Sequence, residues 1–393
     1  MPCPRPTAPN LTVPNPTALG TTALGTTALG TTALGTTALG TTAPRPTAPC
    51  AIPPHILERI VRNGSDDQRS WALSTLVQDG SHRTIRVHNA QLRSAQRGAA
   101  PPRLDPDAGP RRTVGDAAGT EALPGRTVRT EGEAAVDDVA ANEAYDGLGA
   151  TFRFYSEVFG RDSIDDEGMA LLATVHYGDH YDNAFWNGRQ MVFGDGDGEL
   201  FQRFTVSLDI IGHELTHGVT EDEAALMYVN QSGALNESVS DVFGSLVKQH
   251  ALGQTAEQAD WLIGDELLTD AVSGVALRSL KDPGTAYDDP VLGDDIQPAH
   301  MTGYVQMTGD NGGVHINSGI PNKAFYLAAI ALGGHAWERA GRIWYESLRA
   351  PQVRPNATFR SFAAVTSRQA GVLFGADERK AVAEAWREVG IAV

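Results

Sequence analysis

The sequence predicts an α+β chain in which a mixed α/β half precedes an α-helical half. Two observations carry that prediction. Ala173-Thr-Val-His-Tyr177 and Gln190-Met-Val-Phe193 read as short strands set off by Asn187-Gly188 and Gly194-Asp-Gly-Asp-Gly198 turns. After Thr205 the apolar spacing becomes helical almost to the C-terminus.

Taken in order, residues 1–50 are of low complexity: Thr-Thr-Ala-Leu-Gly repeats in tandem from Thr21 to Gly40 between two Pro-Arg-Pro-Thr-Ala-Pro stretches. One Leu per five residues cannot build a packed core, so disorder is expected there. From Ile52 the texture changes. Ile56, Leu57, Ile60 and Val61 form the stripe of a short helix after Pro53-Pro54, and a second helix is expected over 66–77. Residues 51–90 then read as a short removable pro-region. Residues 91–132, rich in Arg, Pro, Ala and Gly, read as a linker containing the maturation cut. The remainder divides into an α/β part over 133–225 and a helical part over 226–393. It opens with a helix through Asn142 and Tyr145 to Phe159, and later helices are predicted at 206–219, 233–250, 257–269, 318–332, 335–349, 357–371 and 376–388.

Composition narrows the function. The net charge of −17 in 393 residues argues against nucleic-acid or anionic-membrane partners, which require a basic surface. No apolar run approaches the roughly 18 residues that a membrane span needs. Cys3 and Cys50 are the only cysteines, so no disulfide is expected in the catalytic part. No signal peptide of the usual form is visible at the N-terminus.

His213-Glu214-Leu-Thr-His217 carries the chemistry. Residues four apart share a helix face, so both imidazoles reach one ion, and Glu214 lies beside the open coordination position. Val206, Leu208, Ile210, Ile211, Leu215 and Val219 wrap this polar stripe in apolar side chains. An unpaired cluster buried in that way would be costly. The next helix supplies a third ligand: Glu237 and Asp241 are four apart, with Glu237 as carboxylate ligand and Asp241 as the acceptor that orients an imidazole. Two histidines, a glutamate and water form an open catalytic site, and imidazole ligands favour Zn2+ over calcium or magnesium.

His213-Glu-Leu-Thr-His217, followed after nineteen residues by Glu237 within Asn236-Glu-Ser-Val-Ser-Asp241, resembles the thermolysin-type (M4) peptidases over residues 130–393. The M1 aminopeptidases, which share the ligand set, have a spacer one residue shorter and a Gly-x-Met-Glu-Asn segment that is absent here. The remaining competitor is a silent zinc-binding scaffold, against which Glu214 counts. The resemblance implies a thermolysin-like two-domain fold with the zinc site between its halves. It also implies an endopeptidase that acts on peptides and proteins. Asn183, Ala184 and Trp186 would lie on an edge strand pairing with substrate backbone. Tyr228 and His315 would donate to the oxyanion, with Asp310 orienting His315, and Arg278 would hold the carbonyl beyond the scissile bond. Phe201, Phe204, Ile210, Ile263 and Leu277 would line the pocket for the residue after that bond, implying cleavage before bulky apolar residues such as Leu, Phe or Ile.

The family's paired Ca2+ site is matched at Asp209, Asp260 and Asp265, yet Lys248 and Leu262 stand where further carboxylates are expected. At most one weak calcium is therefore implied, with the Lys248 ammonium in place of an ion. Cys50-Ala-Ile-Pro-Pro-His-Ile-Leu57 resembles the compact propeptide of the protealysin subgroup, which would act as an inhibitor of its own enzyme. A Cys50 thiolate at the open zinc position is one form that block could take. Family habit implies an extracellular enzyme; the missing signal peptide implies the cytoplasm as the alternative.

Overall fold

The computed structural model describes residues 50–80 and 109–393. The repeat from Thr21 to Gly40 and the stretch 81–108 lie outside them. Helix α1 (Pro54–Asn63) starts on Pro54, where the missing N–H costs nothing, and buries Ile56, Leu57 and Ile60. A second helix, α2, runs over 66–80.

Part of the segment expected as linker is folded. From Gly109 it forms β1 (Arg112–Asp116) and β2 (Arg126–Thr130), paired antiparallel. Its arginines are packing groups here. Arg112 and Arg129 each lie 3.7 Å from the centre of the Tyr145 ring. Arg112 Nη2 also meets Glu131 Oε1 at 2.5 Å, and Val114 between them is fully buried. Their aliphatic stems and ring contacts supply the cohesion that composition did not suggest.

Helix α3 (Val139–Phe159) begins at an Asp138 cap and ends at Gly160, whose φ of 69° belongs to the left-handed region. Strands β3 (Leu171–Val175), β4 (Ala184–Trp186) and β5 (Met191–Phe193) complete a five-stranded sheet of order β2-β1-β3-β5-β4. β1, β3 and β5 run parallel, and β4 joins β5 antiparallel with Ala184 opposite Phe193. β4 is therefore the edge strand of this sheet.

From Leu208 the chain is mainly helical. α4 (Leu208–Glu223) and α5 (Asn230–Leu252) pack along each other through Gly212 and Gly244. A Cβ at Gly244 would meet the Asp209 carbonyl oxygen at 2.4 Å, so only glycine allows this approach. The predicted helix over 257–269 is absent. Trp261 and Gly264 have φ of 62° and 72°, and Leu262–Ile263 pairs instead with Arg278–Ser279. Positive φ at a bulky residue ends any helix at that point. The helices expected over 318–332, 335–349, 357–371 and 376–388 correspond to α7 (Gly319–Leu332), a π turn (Trp337–Gly341) leading into α8 (Arg342–Leu348), α9 (Phe359–Leu373) and α10 (Ala376–Glu388), and α7 is preceded by a short helix that was not expected, α6 (Asp310–Asn317). Trp344 packs against Phe325 and Trp386 at ring separations of 5.0 and 6.0 Å, closing the helical core.

Candidate active site

His213, Glu214 and His217 lie on one buried face of α4, and Glu237 approaches from α5. The three ligand atoms of His213, His217 and Glu237 lie within 4.8 Å of one another. Each imidazole is fixed by its far nitrogen. His213 Nδ1 donates to Asp241 Oδ1 at 2.8 Å, and His217 Nδ1 to Asn236 Oδ1 at 2.8 Å. Both Nε2 lone pairs then face inward, 3.1 Å apart. Each is 3.5 Å from a Glu237 oxygen. Three electron-rich atoms converging in a buried space repel one another unless a cation joins them, so the residues fit a zinc ion.

Beside the triad, the Trp186 N–H on β4 donates to Glu214 Oε2 at 3.0 Å, tying the sheet edge to α4. Across it, Tyr228 Oη lies 3.0 Å from His315 Nε2 and donates to Glu237. Burial, with Glu237 and Asp310 close by, pushes the Tyr228 phenol well up, so it remains a donor. Asp310 accepts from His315 at Nδ1 (2.5 Å) and at the backbone N–H (2.9 Å). Burial alone would lower His315, but Asp310 and Glu237 outweigh it and raise it to about 9. This geometry needs a left-handed turn: Asp310, Asn311, Gly312 and Gly313 all have positive φ. A Cβ at Gly312 would stand 2.2 Å from Asn230 Oδ1. Gly312 and Gly313 take this conformation freely, so any backbone strain next to the chemistry sits at Asp310 and Asn311.

Asp241 does two tasks. Besides His213 it binds Arg278, whose Nη2 meets Oδ1 at 2.8 Å and whose Nε meets Oδ2 at 3.0 Å. Burial alone would raise this carboxyl, yet Arg278 and His213 hold it well below the usual range. Asn322 Nδ2 donates to its second oxygen at 2.9 Å.

Phe201, Phe204, Ile210, Ile263 and Leu277 are all buried in one apolar cluster. The first two rings are 6.2 Å apart, and Leu277 N–H bonds the Ile263 carbonyl at 3.0 Å. Asp209, Asp260 and Asp265 also converge, on Lys248 Nζ at 2.8, 3.2 and 3.0 Å. Leu262 adds its carbonyl at 3.1 Å. Burial alone would lower the lysine, and the three acids push it well above its ordinary value.

The segment expected as a pro-region meets the edge strand and Arg278. Ala51 N–H bonds the Ala184 carbonyl at 3.0 Å, and Arg278 Nη1 donates to the Ala51 carbonyl at 3.1 Å. Asn183 takes Ile52 N–H at 2.8 Å and offers Nδ2 to its carbonyl at 3.4 Å. Cys50 is buried in a small cluster with Tyr177, Tyr181, Phe185 and Val192. From α2, Asp79 accepts from Tyr181 Oη at 2.5 Å and from Asn183 Nδ2 at 3.0 Å.

Sequence reasoning missed Asn236, Ser240 (2.9 Å from His217 Nδ1), Asn322 and Asp79. A signal existed only for the first pair: Asn236 and Ser240 are four apart on the helix that carries Glu237.

A HExxH helix and a second-helix glutamate, set between a mixed sheet and a helical half, define a zinc metallopeptidase. The comparisons place it more closely. The thermolysin metallopeptidase catalytic-domain model matches residues 75–221 and the α-helical-domain model residues 224–391. An extracellular metalloprotease of Pectobacterium carotovorum subsp. carotovorum is 54% identical over 343 residues, 87% of this chain and 96% of that one. Protease PrtS of a Photorhabdus strain is 49% identical over 347 residues, 87% of this chain and 92% of its own. The solved precursor of protealysin from Serratia proteamaculans superposes with a TM-score of 0.80 at 51% identity, covering 88% of this chain and all of that one. The chain belongs to the thermolysin-type M4 metallopeptidases and is a zinc-dependent neutral endopeptidase with a propeptide.

Proposed function

We propose that His213, His217 and Glu237 hold the zinc ion, that Glu214 is the general base, and that the enzyme cleaves on the amino side of bulky apolar residues. When bound, zinc polarises the scissile carbonyl and acidifies water. Glu214 takes a proton from the attacking water and passes it to the leaving amine. Tyr228 and His315 donate to the oxyanion as it forms, the role for which a protonated phenol and an Asp310-oriented imidazole are suited. Ala184, Asn183 and Arg278 hold the substrate backbone, and Phe201, Phe204, Ile210, Ile263 and Leu277 receive the side chain after the scissile bond. The observation that carries the reading is the convergence of three ligand atoms within 4.8 Å beside a Glu214 anchored to the edge strand.

The same reading makes residues 50–80 the inhibitor in the precursor, supported by their bonds to Ala184, Asn183 and Arg278. It gives Lys248 the place of a calcium ion among Asp209, Asp260 and Asp265. Release outside the cell follows the name of the Pectobacterium relative; among the described residues no helix is long and apolar enough to cross a membrane. Intact mass of wild type and Glu214→Gln over time, beside cleavage of a Gly-Leu peptide, tests the whole. Wild type should shed its pro-region and cut before Leu while the variant stays whole. Wild type that stays whole and inactive with zinc bound would refute it.

A further inference from the structure

We propose that the turn Gly194–Gly198 is a proton-held clasp on the edge of the sheet: His176, as an imidazolium, grips its Asp195, and Asp182, as a neutral carboxyl, shares a proton with its Asp197.

The turn leaves β5 and doubles back against the chain that enters β4. Gly194 N–H bonds the Asn183 carbonyl at 3.0 Å, and Gly196 N–H bonds the Tyr181 carbonyl at 3.3 Å. A Cβ at Gly194 would stand 1.9 Å from the Tyr181 carbonyl oxygen, so only glycine allows this approach. On its other side, Gly198 N–H bonds the Phe201 carbonyl at 3.0 Å, and the Gly194 carbonyl takes the Phe204 N–H at 3.1 Å. The turn therefore ties the chain around Asn183 to the residues that carry the Phe201 and Phe204 rings.

Both of its aspartates meet a group that must hold a proton. His176 Nδ1 lies 2.9 and 2.8 Å from the two Asp195 oxygens, and Nε2 lies 3.0 Å from Asp138 Oδ2 at the cap of α3. Carboxylates only accept, so both ring nitrogens carry hydrogen and the ring is charged. Burial alone would lower His176, yet Asp195 and Asp138 outweigh it and raise it above its ordinary value.

Asp182 is the converse case. It is 1% exposed, and neither of its oxygens has a hydrogen-bond partner. Asp197 Oδ1 accepts the N–H groups of Glu199, Leu200 and Phe201 at 2.9, 2.7 and 3.0 Å, while its Oδ2 is buried without a partner. Two carboxylates cannot both stay ionised in such a place. Three N–H groups favour the charge on Asp197, so the proton belongs on Asp182, and it satisfies the orphan Asp197 oxygen. Burial first and the Asp197 charge second push Asp182 well up, and the Asp197 N–H offsets only part of this. The neighbouring ionisable groups are engaged elsewhere: His180 with Asp179, Asp79 with Tyr181 and Asn183, Glu199 with Gln68, and Arg203 with Glu143. From α2, Thr75 Oγ1 takes the Asp182 N–H at 3.2 Å and brings no charge.

Proton loss at either position loosens the turn. The His176 contribution is full below about pH 6.5 and is lost as pH rises through its higher folded value. Asp182 costs the fold increasingly as pH rises above about 3.9, until its own raised value is passed. Scanning calorimetry of the zinc-loaded, full-length Glu214→Gln chain from pH 5 to 9 reads both, with intact mass confirming that nothing is cut. Adding Asp182→Asn replaces the shared proton by a fixed N–H. Its Tm advantage over the parent should grow by at least about 2 °C between pH 5 and pH 8. Adding His176→Asn should give a deficit that is greatest below pH 6.5 and closes towards pH 9. Asp195→Asn, which leaves the ring a single carboxylate, should give the same closing deficit. A difference from the parent that does not change with pH, at either His176 or Asp182, overturns the clasp. So does an Asp182→Asn chain that melts below the parent at pH 8. A calcium-dependent rise of the parent at pH 8 that Asp182→Asn lacks would put a cation, not a proton, between Asp182 and Asp197 and overturn it equally.

Discussion

Replacing Lys248 with methionine removes the one cation from a site built of acids. In the native protein its ammonium lies 2.8 Å from Asp209, 3.0 Å from Asp265 and 3.2 Å from Asp260. Asp209 dominates the cost because it is fully buried. One of its oxygens already takes Ser207 Oγ and the Gly264 N–H, and the ammonium serves the other. Removing one partner of a buried pair costs about 3–5 kcal/mol. Asp260 and Asp265 are 39% and 31% exposed, and each adds well under about 1 kcal/mol. For a chain of 393 residues about 4 kcal/mol corresponds to a fall in Tm of roughly 5 °C. The vacated position keeps three carboxylates and the Leu262 carbonyl, oxygen ligands suited to calcium. Calcium at about 100 times its Kd would return about 2.7 kcal/mol. Scanning calorimetry of wild type and Lys248→Met, with and without calcium, reads both effects. The expected pattern is a deep fall rescued by calcium in the variant and little calcium response in wild type. A large saturable rise in wild type, or a variant within about 2 °C of it, would show that the lysine does not act as the resident cation.

Three further perturbations bear on the site. Tyr228→Phe should lower kcat by on the order of 10- to 1000-fold with KM nearly unchanged, because its hydroxyl would act on the oxyanion rather than on bound substrate; a pure KM effect in steady-state kinetics would contradict that role. Cys50→Ser should leave the uncut precursor silent, since the block described above is made by backbone bonds to Ala184, Asn183 and Arg278; activity in the intact Cys50→Ser chain would place the block in the thiol instead. His55 is held down to about 4, first by burial, so the docked pro-region keeps it neutral while the undocked one protonates below about 6.5. Docking should therefore weaken as pH falls from 6.5 towards 4, by on the order of 2 kcal/mol after allowing for partial exposure. His55→Asn should flatten the pH dependence of inhibition by the cleaved pro-region, and an unchanged profile would refute it.

The parts of the site that are legible in the sequence are those written within one helix. His213, Glu214 and His217 share a turn of α4, and Glu237 and Asp241 share one of α5, so helical periodicity alone sets their mutual placement. What is illegible depends on distant partners. β1 and β2 read as linker because their arginines look solvated, and only the Tyr145 ring, brought by α3, makes them packing residues. The segment 257–269 has helix-compatible composition, but the pairing of Leu262–Ile263 with Arg278–Ser279 overrides that local preference. The contacts of Ile52 with Asn183 span 131 positions, beyond any sequence period.

Asp241 makes the metal site and the substrate clamp a single unit. Its carboxylate fixes the tautomer of His213 and at the same time orients Arg278, which in the precursor grips the Ala51 carbonyl. Neutralising it as Asp241→Asn would therefore loosen His213 and leave a buried guanidinium without its countercharge, a cost of several kcal/mol. The edge strand has the same double use: the Ala184 carbonyl and the Asn183 amide that suit a substrate backbone are the groups the pro-region occupies. On this reading activation requires the docked segment to leave, and its hold is shared between the packing of α1 and α2 and the bonds to Asn183, Ala184 and Arg278.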